Sequence, residues 1–185
     1  IMHQRGRLYT CLKIDQSLNL GAVRIRLRSL KAAIEERGEE TGSAKPIEYP
    51  KAVFTEAMKR DKDYTILAPE MSPIHFPIIE AAVQREGYHI EIIPPIHEDI
   101  DKGLSCVNND ACYPAIITIG SLMRALTSGK YDLSKTAVML SQTGGMCRAS
   151  NYVGFLHKAL DEAGLSDIPV ISLNTHGFEP QPGFH

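Results

Sequence analysis

The sequence predicts an α/β domain of three layers with a mainly parallel four-stranded sheet, preceded by an N-terminal helical extension. Three observations carry this. From Tyr64 onward, short apolar runs alternate with helical stretches of 10–15 residues, the pattern of βαβ units. The short runs are mostly apolar rather than alternating, as strands buried on both faces are. Glycines and prolines punctuate nearly every junction. A small layered sheet of this kind is Rossmann-like or flavodoxin-like.

Residues 1–50 form the extension and residues 51–185 the α/β domain. Leu8 to Ile14 can make an edge strand or nothing regular. In Gly21 to Arg37, Val23, Ile25 and Leu27 alternate with Arg24, Arg26 and Arg28, a strand pattern. Val23, Leu27, Leu30 and Ile34 also make a helical stripe, and the good helix formers that follow decide for a helix. Its arginines make a solvated face or a phosphate-binding one. Gly38, Gly42, Ser43, Pro46 and Pro50 mark a linker, and Ala52 to Lys59 is a short helix or an extended lead-in.

Residues 64–68 make the first strand, closed by Pro69. Ser72-Pro73 offers a helix start, moved to Phe76 by Pro77, with Ile74, Ile78, Ile79, Ala82 and Val83 as a core stripe ending at Gly87. Residues 89–93 make the second strand, ended by Pro94-Pro95, and His97 to Cys106 is a polar helical stretch. The helix after Pro114 carries Ile116, Ile119, Gly120, Leu122, Met123 and Leu126, and stops at Gly129. Residues 136–141 are the third strand. A helix from Arg148 follows, its apolar stripe Ala149, Tyr152, Val153, Leu156, Ala159, Leu160 and Ala163, and Gly164 ends it. Residues 169–173 are the last strand, and an irregular tail begins near His176. The predicted order sets the second strand at an edge and the first beside the third.

Composition narrows the function classes. The 43% apolar and 23% charged content is that of an ordinary globular protein, and no run approaches the ~20 apolar residues of a membrane span. No signal-peptide core opens the chain, and the four cysteines Cys11, Cys106, Cys112 and Cys147 are too few for a dense disulfide framework. Reduced thiols in the cytoplasm are expected. Residues 1–44 carry eight Lys and Arg against five Asp and Glu, while the remainder carries twelve against seventeen. A basic arm beside an acidic body suits protein partners, and no nucleic-acid motif accompanies it. The start at Ile1 and the Pro182-Gly183-Phe184-His185 end point to a segment of a longer protein.

Ligands of open parallel sheets bind beyond the carboxyl ends of the strands, where strand order reverses. That rule collects Glu70, Met71 and Ser72 after the first strand, and Asp110 and Cys112 before the central helix. The third strand adds Gln142, Gly144, Gly145, Cys147 and Arg148, and the fourth adds Asn174 and His176. Gly144-Gly145 lets backbone approach a ligand closely. Glu70, Ser72, Gln142, Gly144, Gly145, Arg148, Asn174 and His176 are candidates for substrate or anion binding. Cys112 and Cys147 each stand at a helix start, where free N–H groups and the helix dipole favour a thiolate. Together they are candidate metal ligands, with Cys106 as a third thiolate or a core residue. A cysteine can equally be an apolar filler. No Cys-x-x-Cys, His-Glu-x-x-His or ferredoxin-type run occurs, nor any P-loop or Gly-x-Gly-x-x-Gly. A nucleophilic cysteine would need an activating histidine such as His75 or His176.

Four stretches carry a resemblance: ILAPEMSPIHF (residues 66–76), NNDACYPA (108–115), SQTGGMCRASNY (141–152) and IPVISLN (168–174). With the CLKIDQSLNLGAVRIRLRSLKAAIEER start, the chain resembles the activase-related proteins of the 2-hydroxyacyl-CoA dehydratase family over nearly its whole length. The resemblance implies Rossmann-like layers holding an iron–sulfur cluster through cysteines. It also implies an ATPase activator domain as partner and removal of water from (R)-2-hydroxyacyl-CoA thioesters. Cys112 and Cys147 fall at the family's cysteine positions. The cluster would be shared with the rest of a parent protein, and the isolated chain would be inactive. The alternative is a non-catalytic interaction domain with structural cysteines.

Overall fold

The computed structural model describes Thr10, Leu12, residues 20–37, 51–107, 111–141, Thr143, 147–173 and 182–184. It divides into two compact units, Ile1–Glu48 and Tyr49–His185. In the first, α1 (Leu20–Arg37) is a single helix of 18 residues. Its propensity outweighs the local alternation of Val23 to Leu27. Leu20, Ile25, Leu27 and Ile34 are exposed.

The second unit begins with a short α2 (Glu56–Arg60), capped by the Thr55 hydroxyl, which accepts from the Met58 N–H. Then follow β1 (Thr65–Pro69), α3 (Phe76–Arg85), β2 (Ile90–Ile93), α4 (Glu98–Cys106), α5 (Tyr113–Thr127), β3 (Thr136–Ser141), α6 (Tyr152–Glu162) and β4 (Val170–Leu173). Two 3₁₀ turns, Leu133–Lys135 and Arg148–Asn151, precede β3 and α6. The four strands are all parallel in the order β2-β1-β3-β4, as the connection rules require. Gly87, Gly129 and Gly164 end their helices with φ of 89°, 75° and 70°, a region that costs other residues a Cβ clash.

Alternate side chains of every strand feed two separate cores, which is why the strands read as continuous apolar runs. Leu67, Ile93, Val138, Leu140 and Val170 pack under α5 and α6. Ile66, Ala68, Ile90, Ala137, Met139 and Ile171 form the opposite core with Phe54, Tyr64 and Tyr88. Phe184 closes it, its ring 4.9 Å from that of Tyr88. On the edge strand, Glu91 is held by Lys130 and the Tyr131 hydroxyl, at 2.5 and 2.6 Å. An inward-leaning charge there discourages pairing with another strand.

Three expectations need correction or restriction. The stripe of α3 is not a core stripe: Ile74 and Ile78 are 74% and 66% exposed, and no residue of α3 is buried. Of the stripe only Val83 packs against the core, beside a cluster that includes Phe54, Tyr64 and Tyr88. Accordingly, Ile78→Ser should change unfolding free energy by no more than about 0.5 kcal/mol in a urea titration. A loss above about 1 kcal/mol, large for an exposed site, would show that α3 packs more tightly. The final helix starts at Tyr152 rather than Arg148, since Ser150 and Asn151 favour turn geometry over helix. The Leu8–Ile14 stretch lies outside the described residues except for Thr10 and Leu12. Among the described residues, no helix is long and apolar enough to cross a membrane.

Candidate functional site

The chain leaves β1 toward β2 on one side and β3 toward β4 on the other, so strand order reverses between β1 and β3. The carboxyl ends of these two strands meet across a contact in which Ser141 Oγ donates to Met71 Sδ at 3.5 Å. Half-buried Glu70 follows β1, and its N–H donates to the Ile93 carbonyl at 2.9 Å. Ser72 Oγ and His75 Nδ1 share a hydrogen bond of 2.8 Å. That local pair organises the turn into α3, where the Phe76 N–H donates to the Ser72 carbonyl.

Helix α5 descends from this rim into β3, so its first residues stand at the rim. Cys112 is the N-cap of α5. Its carbonyl accepts from the Ala115 and Ile116 N–H groups at 2.9 and 3.2 Å, while its thiol caps nothing. The thiol meets the Tyr152 hydroxyl instead, Sγ to Oη 3.0 Å. Cys147 occupies the equivalent position before the Arg148–Asn151 turn, its carbonyl accepting from the Ser150 N–H and hydroxyl at 3.1 and 2.8 Å. Tyr152 is buried, and its phenol is pushed well above the ordinary tyrosine range. Burial is the main cause, followed by the hydrogen bond to Cys112 and then by charge on Cys112 and on Cys147. Of the two thiols, Cys112 is half-buried against this phenol and Cys147 is exposed.

Cys106 arrives from the other direction. A Cβ on Gly103 would meet the Ile116 carbonyl, and one on Gly120 the Asp99 carbonyl. These two approaches set α4 antiparallel to α5 and carry its last residue, Cys106, to the Cys112 end. Cys106 packs half-buried against the core beside Ser105 Oγ, 3.6 Å away. Among the described residues, no three His, Cys, Asp or Glu side chains form a group that could hold a metal ion. The rim thus brings the Cys112 thiol to the Tyr152 phenol, and α4 carries Cys106 to the same end without completing a triad. Soft sulfur donors would suit an iron–sulfur cluster or another thiophilic metal better than a hard cation.

Arg148 is exposed in the turn after Cys147. Asp110, Gln142, Gly144, Gly145, Asn174 and His176 lie outside the described residues. Near the end of β4, Ser172 Oγ is buried without a hydrogen-bond partner among the described residues. Tyr152 is the residue that sequence reasoning missed. It counted only as an apolar member of the α6 stripe, although a buried tyrosine needs a partner for its hydroxyl. Comparison with protein-family models, curated proteins and solved structures finds no match.

Proposed function

We propose that residues 51–185 form a dehydratase-like α/β domain in which Cys112 and Cys147 help ligate an iron–sulfur cluster. The cluster would serve ATP-linked, reductive dehydration of 2-hydroxyacyl-CoA thioesters. One observation carries the reading: Cys112 and Cys147 both stand as N-caps of the elements that follow them, and the Cys112 thiol meets the buried Tyr152 hydroxyl. A bound cluster supplies a low-potential electron. The chain's own part is to hold two of its corners and to offer an anion or thioester site. Glu70, Ser72 and Arg148 would line that site with the Gln142–Gly145 turn and with Asn174 and His176. The remaining ligands come from the rest of a parent protein, whose ATPase activator domain is the natural partner. The reducing cytoplasm keeps such thiols free.

Anaerobic reconstitution with iron and sulfide, followed by absorbance and iron counting, tests this. The chain should take up iron with a visible charge-transfer band, and Cys112→Ser or Cys147→Ser should lose most of it. Equal iron in the wild type and in the double serine variant would end the proposal. A second reading, a non-catalytic interaction domain with structural cysteines, is favoured by the exposed Ile78 of α3 and the exposed Ile74 just before it. It predicts no specific iron.

A further inference from the structure

Three tyrosine hydroxyls of this domain find different partners; Tyr64 and Tyr152 are buried, and Tyr131 is half-buried. Tyr64 donates to the Thr136 carbonyl at 3.3 Å and Tyr131 to the Glu91 carboxylate at 2.6 Å, both strong acceptors. Tyr152 has the Cys112 sulfur at 3.0 Å. A thiol is a weak acceptor, and a buried phenol with a poor partner recovers only part of its desolvation cost. The pairing suits a sulfur that carries charge, as a metal-bound thiolate does.

The geometry is also built in advance. Tyr152 opens α6 and is 3% exposed, followed by Val153 and Leu156, which are buried in the same core. Cys112 is fixed from the other side by the two backbone N–H groups on its carbonyl. The sulfur comes from the N-cap of α5 and the O–H from the first residue of α6, so the contact joins two separate elements. Supporting groups locked by core packing in this way are what hold metal ligands in register.

We propose that Tyr152 is a positioning residue for the candidate cluster site: its phenol O–H donates to Cys112 Sγ, fixes the sulfur between α5 and α6, and draws charge from it. The cluster consequence rests on the function proposed above; the hydrogen bond does not. Donors to cluster sulfurs are one of the levers that set reduction potential, and removing this one should make the potential more negative.

Tyr152→Phe keeps the ring that packs the core and removes only the hydroxyl. In metal-free protein, the infrared S–H stretch of Cys112, assigned by its disappearance in Cys112→Ser, should move between wild type and Tyr152→Phe. An unmoved band overturns the proposal, whatever the iron results. In reconstituted protein, the variant should keep its iron per chain while its midpoint potential shifts negative. An unchanged potential with iron retained overturns the positioning role. A wild-type chain that takes up no iron overturns the cluster reading instead, and the S–H band then still decides the Tyr152–Cys112 bond. Should Tyr152→Phe fail to fold, Cys112→Ala provides the second measurement. Its Tyr152 hydroxyl band must shift against wild type if the phenol donates to sulfur, and a fixed band refutes the donation.

Discussion

Gly120→Ala should cost about 3 kcal/mol or more of folding stability, at the upper end of what one inserted methyl does in a packed core. Its Cβ would stand 1.9 Å from the Asp99 carbonyl oxygen, 2.9 Å from the carbonyl carbon and 3.0 Å from the Gly103 nitrogen. All three are backbone atoms of α4, so no rotamer change relieves the clash and the two helices must separate. Gly103 makes the reciprocal approach, 2.0 Å from the Ile116 oxygen. Alanine gains about 1 kcal/mol of intrinsic helix propensity over glycine, too little to offset separating α4 from α5. Gly154→Ala is the control. Its Cβ would meet only Asn151 Oδ1 at 3.4 Å, so propensity should win and stability should rise. Urea unfolding checks both, and a Gly120→Ala midpoint equal to wild type would mean that α4 and α5 are not held this closely.

The same pair of glycines shows where sequence reasoning stops. Gly120 reads as one small residue in the Ile116–Leu126 stripe, and Gly103 as part of a polar stretch. Neither signals a partner, because the approach joins residues far apart in the chain. The sheet was legible for the opposite reason. Residues 64–68, 89–93, 136–141 and 169–173 carry local apolar runs with Gly and Pro at their ends, and βαβ handedness then restricts their order. The rim followed from that order, and with it Cys112 and Cys147. Periodicity joined Ile74, Ile78 and Ile79 in one stripe, yet a stripe does not say what covers it, and all three are exposed. The core on that side of the sheet is built with Phe54, Tyr64 and Tyr88, and of the predicted stripe only Val83 packs against it. Tyr152 shows the complementary blindness: the ring belongs to the apolar stripe, while the hydroxyl answers to a cysteine forty residues earlier.

Asp99→Ala should destabilise the domain by about 3–5 kcal/mol, the range for breaking a buried charge pair. The carboxylate has no exposed surface. It accepts from Arg124, from Ser121 Oγ at 2.8 Å and from the Ile96 N–H at 2.8 Å. Arg124 also donates to the Pro94 carbonyl at 3.1 Å. One side chain in the first turn of α4 thus ties that helix to α5 and to the Pro94–Ile96 turn leaving β2. Alanine would leave the Ile96 N–H without its acceptor and Arg124 without its counter-charge, each a penalty beyond the lost bonds. Burial by itself pushes the Asp99 carboxyl up. The hydrogen bonds of Arg124, Ile96 and Ser121, with the Arg124 charge, outweigh it and hold the group below the ordinary aspartate range. A carboxyl depressed in the folded state stabilises fully above its unfolded value, and that contribution drains away as pH falls through the folded one. Wild type should therefore lose stability on acidification below the ordinary carboxylate range, and Asp99→Asn should lose less over the same interval. Urea midpoints measured from neutral pH downward compare the two. Parallel acid loss in both chains would show that other carboxylates, and not Asp99, set the acid limit of this fold.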